Sequence, residues 1–116
     1  MKVYLSPSNQ YDNLYAYGNT NEMIQCNRIA EAAEKYLKAN GFDVKRAPQG
    51  QNMNVSINES NAWGADVHIC IHTNAGGGKG CEVYTYSGAA NELKYARPIY
   101  NEIASVTPSS DRGLKV

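Results

Sequence analysis

From residue 65 to residue 75 the chain reads Ala-Asp-Val-His-Ile-Cys-Ile-His-Thr-Asn-Ala, and no other stretch restricts the possible folds as strongly. Val67, Ile69 and Ile71 alternate with His68, Cys70 and His72. A period of two predicts a strand with aliphatic groups on one face and imidazoles on the other. The strand runs into Gly76-Gly77-Gly78-Lys79-Gly80. Strand ends that feed loops are where open α/β sheets gather ligands, because the scaffold is rigid and the loop remains accessible. His72, at that end, is therefore the first candidate functional residue.

The neighbouring segments supply the rest of a layered fold. Lys2 to Leu5 predicts a short strand, with Ser6-Pro7-Ser8-Asn9-Gln10 as the loop leaving it. From Asn21 or Glu22 the pattern becomes helical. Ile24, Ile29, Ala32, Ala33, Tyr36 and Leu37 fill one stripe, and Glu31, Glu34, Lys35 and Lys38 lie largely opposite. Asn40-Gly41 stops this helix, and Phe42-Asp43-Val44 resumes alternation. After a loop over Ala47 to Asn54, Ser56 to Trp63 predicts a short helix ended by Gly64. Beyond the glycines, Cys81 to Tyr86 predicts a strand and Asn91 to Ala104 a helix that Pro98 should kink or divide. Leu114-Lys115-Val116 begins one more strand.

Strands alternating with helices predict an α/β fold: an open, mostly parallel twisted sheet with helices on both faces, as a single domain over residues 1–116. Ending as a strand begins, that domain reads as incomplete at its C-terminus. An uncovered edge strand is also a route to a homodimer.

Composition narrows the partners. Eleven basic residues balance eleven acidic ones without a basic cluster, which argues against nucleic acid. No apolar run approaches the ~20 residues needed to cross a membrane, and no signal peptide is visible. Three cysteines, an odd number without CxxC spacing, read as reduced thiols, with Cys70 and Cys81 as small core residues. Nine tyrosines against one phenylalanine imply a partly wet aromatic surface, a composition that suits carbohydrate.

A hydrolytic zinc site takes three ligands from His, Asp or Glu and leaves a position for water. Glu22 heads the first helix beside the loop leaving the first strand, so the fold can bring it to His72. Taken alone, Glu22 is also a first-turn acid that suits the helix dipole, and a strand-end histidine is also a structural hydrogen-bonding residue. His68 stands four residues back, roughly 13 Å away along a strand, too far to share an ion with His72. Cys70 and His72 point to one face, but as parallel neighbours rather than a directed nucleophile pair. The triple glycine has no following Lys-Ser or Lys-Thr helix start, so it gives room beside a bulky substrate rather than a phosphate cradle. Glu82 reads as a solvated strand residue, with a site-facing role as the alternative.

Taken in order, Asn21-Glu22 at a helix start, an amphipathic helix ending in Asn40-Gly41, Ala65-Asp66, Ile71-His72-Thr73-Asn74-Ala75, a glycine loop into Glu82-Val83-Tyr84, and Asp111-Arg112-Gly113-Leu114-Lys115 resemble the zinc-dependent N-acetylmuramoyl-L-alanine amidases. The likeness spans nearly the whole chain. It implies a hydrolase that cuts the amide between N-acetylmuramic acid and L-alanine in peptidoglycan, at the bacterial cell wall, with Zn2+ as cofactor. The resemblance makes Glu22 and His72 the second and third metal ligands. Where the family shows Asp-Pro-Gly-His-Gly, this chain has Ser6-Pro7-Ser8-Asn9-Gln10, which puts Asn9 at the place of the first histidine. An amide oxygen is a weaker zinc ligand than imidazole, so zinc would be held through Asn9, Gln10 or a water. Gln10 and Asn74 are expected on the substrate side. The family's last strand and its general acid/base glutamate would fall beyond Val116. The alternative is a catalytically inactive, truncated domain that binds muropeptides or serves as a scaffold. A phage-lysin setting, sporulation and cell separation all remain open.

Overall fold

Strand β1, Lys2–Pro7, is buried along its length after Lys2, and the first part of the molecule is assembled on both of its edges. In the computed structural model, which describes residues 1–73, 80–107 and 112–116, β1 pairs in parallel with β2, Asp43–Arg46, on one side and with β3, Val67–Ile71, on the other. The strand order is β2-β1-β3. Helix α1, Glu22–Ala39, connects β1 to β2, and helix α2, Met53–Trp63, connects β2 to β3. The first connection moves the chain one way across the sheet and the second moves it back. Parallel crossovers are right-handed, so the two helices lie on opposite faces. Such a reversal creates a switch point between β1 and β3, where ligands enter open sheets at the carboxyl ends of the strands.

The local chemistry sets the element ends. Asn21 caps α1 by accepting the Ile24 N–H at 2.9 Å, with Glu22 as the acid of the first turn. Gly64 ends α2 in the left-handed region at φ 77°, as anticipated, and returns the chain toward β3. Asp66 then fixes the start of β3. Its carboxylate accepts the Lys2 N–H at 2.7 Å, and its own N–H donates to the Lys2 carbonyl at 2.8 Å. The ammonium groups of Lys2 and Lys45 both lie 5.3 Å from the Trp63 ring centroid, closing the same end of the sheet.

The structure rotates α1 away from the expected stripe. Its buried residues are Glu22, Cys26, Asn27 and Ala30, whereas Ile29 is 49% exposed and Tyr36 and Ala32 are also exposed. The physical reason is distance: Cys26 and Ala30 let the helix lie close on a sheet whose central strand already carries the bulky Val3 and Leu5. Helix α2 behaves similarly, burying Ser56 and Ser60. The Tyr4 side chain, fully buried, donates to Glu59 Oε1 of α2 at 2.7 Å.

The chain divides into two compact units, Met1–Ala75 and Gly76–Val116. In the second, β4, Glu82–Tyr84, pairs in parallel with β5, Gly113–Lys115, and helix α3, Ala90–Val106, connects them. The parallel α/β class is as anticipated, but the described strands form two sheets rather than one. Helix α3 continues through Pro98 without division. Its start lacks a side-chain cap at Ala89; Glu92 instead reaches back to the Ser87 N–H and hydroxyl at 2.9 and 3.0 Å. Glu82 pairs with Lys115 Nζ at 2.7 Å and Arg112 Nε at 3.5 Å.

The rotation of α1 can be measured. Ala30→Leu should destabilise the protein by about 1–3 kcal/mol through overpacking. Ile29→Ala, at an exposed position, should cost within about 0.5 kcal/mol in urea denaturation. The reverse ranking would restore the sequence-derived stripe.

Candidate active site

The carboxyl ends of β1 and β3 place Ser8 beside His72, and α1 brings Glu22 to the same point. The last ladder pair is Pro7 with Ile71, and the Ser8 N–H donates to the Ile71 carbonyl at 2.9 Å. Glu22 is 2% exposed, and its Oε2 lies 3.2 Å from His72 Nδ1. Its Oε1 accepts from Asn13 Nδ2 at 2.8 Å, and Ser8 also hydrogen-bonds the carboxylate. The backbone N–H of Glu22 donates to the Asn13 carbonyl at 2.9 Å. Burial pushes the Glu22 carboxyl up, but hydrogen bonds from Ser8, His72 and Asn13 more than offset it, leaving the group below its ordinary range.

Sequence spacing had set Cys70 apart from its neighbours as a small core residue; the structure corrects this. Cys70 is exposed and stands between His68 and His72 on the same face of β3. The three alternate along one face of β3, so both imidazoles flank the thiol. His68 and then His72 draw the Cys70 thiol down to about 6, against the opposing effect of burial. His72 is raised, first by Cys70 and, after burial's opposing effect, by Glu22. His68 stacks on Tyr4, its cross-strand partner, with centroids 5.0 Å apart and planes at 20°. Thr73 Oγ1 is held by the Tyr15 hydroxyl at 2.7 Å.

Of the residues singled out from the sequence, Glu22 and His72 meet. Asn9 donates its amide nitrogen to the Gln51 carbonyl at 3.2 Å, while the Gln10 N–H donates to Ser8 Oγ at 3.1 Å. Asn74, the glycine run up to Lys79, and Asp111 lie outside the described residues. Ser8 and Asn13, which orient Glu22, carry no signal in the sequence. Each stands in loop composition, and only the folded turn aims it at the carboxylate.

The Glu22–His72 pair passes a simple test of fit to zinc. A tetrahedral ion with bonds of about 2.0–2.1 Å has ligand–ligand edges of about 3.3 Å, close to the observed oxygen–nitrogen separation. Among the described residues no third His, Cys, Asp or Glu completes a ligating group with them. A buried carboxylate and an imidazole converging over the switch point of a parallel α/β unit define an α/β domain with a polar site of the kind hydrolases use.

Residues 8–116 match the family model described as N-acetylmuramoyl-L-alanine amidase, and the chain belongs to that family. Over 72 residues, 61% of the chain, it is 39% identical to N-acetylmuramoyl-L-alanine amidase CwlM of Bacillus licheniformis. A segment of the same length is 36% identical to the sporulation-specific N-acetylmuramoyl-L-alanine amidase of Bacillus subtilis strain 168. The matched segment spans 28% of the length of each relative.

Two pH dependences follow. Glu22's lowered pKa contributes stability that is present above its ordinary value of 4.5 and lost as pH falls through its folded value. His72's raised pKa contributes stability that is complete below 6.5 and lost as pH rises through its folded value. Chelator-treated protein should therefore draw most on this pair between those limits, and Glu22→Gln should remove the acid limb of a melting-temperature profile and reduce the alkaline one, which Cys70 still supports. Cys70 should be alkylated with a half-maximal rate near pH 6, followed by mass spectrometry of its peptide, and His68→Gln should move that midpoint toward 9.

Proposed function

We propose that this chain is the catalytic-type unit of a peptidoglycan amidase that acts at the bacterial cell wall on the bond between N-acetylmuramic acid and L-alanine. The single observation that carries the reading is the 3.2 Å approach of Glu22 to His72 over the switch point, in a chain of the amidase family. Glu22 and His72 are the residues that would hold Zn2+. The hydrogen bond from the Asn9 amide nitrogen to Gln51 leaves its Oδ1 as the atom it can offer as the third, neutral donor. When bound, zinc polarises a carbonyl and lowers the pKa of coordinated water to about 7.

The chain's own residues prepare that site. Ser8 and Asn13 hold the Glu22 carboxylate ionised and oriented, the part that outer hydrogen-bond partners play around ligating groups. His72 is turned toward Glu22 through its Nδ1, and its neighbour Thr73 is tied to the loop that carries Asn13. Gln10 and Asn74, next to Asn9 and His72 in sequence, are assigned to the substrate side. Among the described residues no helix is long and apolar enough to cross a membrane.

Elemental analysis of protein prepared without chelator should find zinc bound stoichiometrically, and added zinc should raise the melting temperature. Glu22→Ala and His72→Ala should abolish that rise, and Asn13→Ala should weaken zinc affinity by about 10–100-fold. In the full-length protein, release of peptides with a new N-terminal alanine from purified peptidoglycan should fall in parallel. A zinc-induced rise that survives both alanine substitutions would overturn the assignment.

A further inference from the structure

The two members of the Glu22–His72 pair differ in how they are held. The Glu22 side chain is 2% exposed and the His72 side chain 48%. Burial and its donors fix the carboxylate, whereas the imidazole depends on the segment that carries it. That segment has already left the sheet, because the β1–β3 ladder ends at Pro7 with Ile71 and the Ser8 N–H bonds the Ile71 carbonyl. One residue beyond His72, the Thr73 hydroxyl shares a hydrogen bond of 2.7 Å with the hydroxyl of Tyr15.

Tyr15 stands in the loop between β1 and α1 with two other tyrosines. Tyr11 is 63% and Tyr17 90% exposed, but Tyr15 is half-buried. Its backbone belongs to a small hairpin: Leu14 pairs with Asn21 in an antiparallel bridge, and the Tyr15 N–H donates to the Thr20 carbonyl at 3.0 Å. Gly18 and Asn19, both left-handed with φ 85° and 52°, lie in the turn. The hairpin is fastened to α1, since Asn21 is the cap of that helix and Gln25 Nε2 donates to Thr20 Oγ1 at 2.8 Å. Tyr15 is thus carried by the head of the same helix that carries Glu22.

These contacts close a ring. From Glu22 it passes across 3.2 Å to His72 Nδ1, along the chain to Thr73, across the hydroxyl pair to Tyr15, and back two residues to Asn13. Asn13 Nδ2 then donates to Glu22 Oε1 at 2.8 Å, and the Asn13 carbonyl accepts the Glu22 N–H at 2.9 Å. Resting on the reading of Glu22 and His72 as the residues that would hold zinc, we propose that Tyr15 is a positioning residue. Through Thr73, its hydroxyl sets the distance of His72 from Glu22 before an ion binds. The bond takes over where the strand ladder stops, and it moves the cost of ordering a half-exposed imidazole from binding to folding.

Tyr15→Phe removes one hydroxyl and Thr73→Val the other, each with the side-chain shape kept. In competition with a chromophoric chelator, each should weaken zinc binding by the full chain about tenfold, the lower end of the loss seen when a partner behind a ligand is removed. The double variant should bind no more weakly than either single one, because both cut the same contact. Tyr17→Phe, in the same loop, should keep the parent affinity. A second measurement needs no metal. Tyr15→Phe and Glu22→Gln act on opposite sides of one hydrogen-bonded ring, so in urea denaturation with chelator present their joint loss should fall short of the sum of the two. A tyrosine that merely supports its loop gives additive losses instead. Additive losses in chelator, or a zinc affinity indifferent to Tyr15→Phe in a chain that binds zinc, would overturn the positioning role. A parent chain that binds no zinc counts against the amidase reading of the pair, and the cycle in chelator still decides the role of Tyr15.

Discussion

A carboxylate taken almost wholly out of water constrains this structure more than any other group. Burying an isolated charge costs several kcal/mol even after relaxation, so Glu22 is tolerable only where donors are already in place. They come from three separate segments: Ser8 at the end of β1, Asn13 in the loop, and His72 at the end of β3. The dipole of α1 adds its positive end at the same position. Removing any one partner leaves a buried charge short of compensation. The register of β1 against β3, the loop path and the start of α1 are therefore coupled through a single side chain.

That coupling depends on how closely the layers approach. Both helices of the first unit turn small residues toward the sheet, Cys26 and Ala30 from α1 and Ser56 and Ser60 from α2. Bulkier side chains there would lift the helices, and the first turn of α1 would carry Glu22 away from His72. On the α2 side the space is filled by Tyr4, whose hydroxyl donates to Glu59 and accepts from Gln51 Nε2 at 3.3 Å. Burial, then Glu59, raises the Tyr4 phenol and keeps it a donor. Close packing with polar partners, rather than a large aliphatic core, is how a unit of this size fixes the geometry of its strand ends.

Much of this was legible in the residues and some was not, for physical reasons that differ. The helix start at Asn21-Glu22, Gly64 as a stop and the alternation through Val67–Ile71 are local features, set by backbone chemistry that sequence records directly. The inward face of α1 is not local. Hydrophobic bulk pointed to Ile24, Ile29 and Tyr36, but the sheet accepts only what fits the interlayer distance, and that favours Cys26 and Ala30. The exposure of Cys70 was hidden because strand alternation tells which residues share a face and not whether that face is covered. Ser8 and Asn13 were hidden because the significance of a loop donor depends on where the loop returns.

Two readings of Glu22 that compete in the sequence, a dipole-stabilising first-turn acid and a site carboxylate, are compatible in the structure. The helix start supplies partial positive charge and orients the side chain, and the same location points it at the switch point between β1 and β3. His72 completes the arrangement by carrying the favourable charge: its raised pKa means that a proton sits opposite Glu22 over more of the pH range than a free imidazole would allow. The pair is held together with help from both sides, Ser8 and Asn13 at the carboxylate and Cys70 beside the imidazole. A site built in this way is preorganised: the cost of bringing carboxylate and imidazole together is met by folding, and ligand binding does not have to supply it.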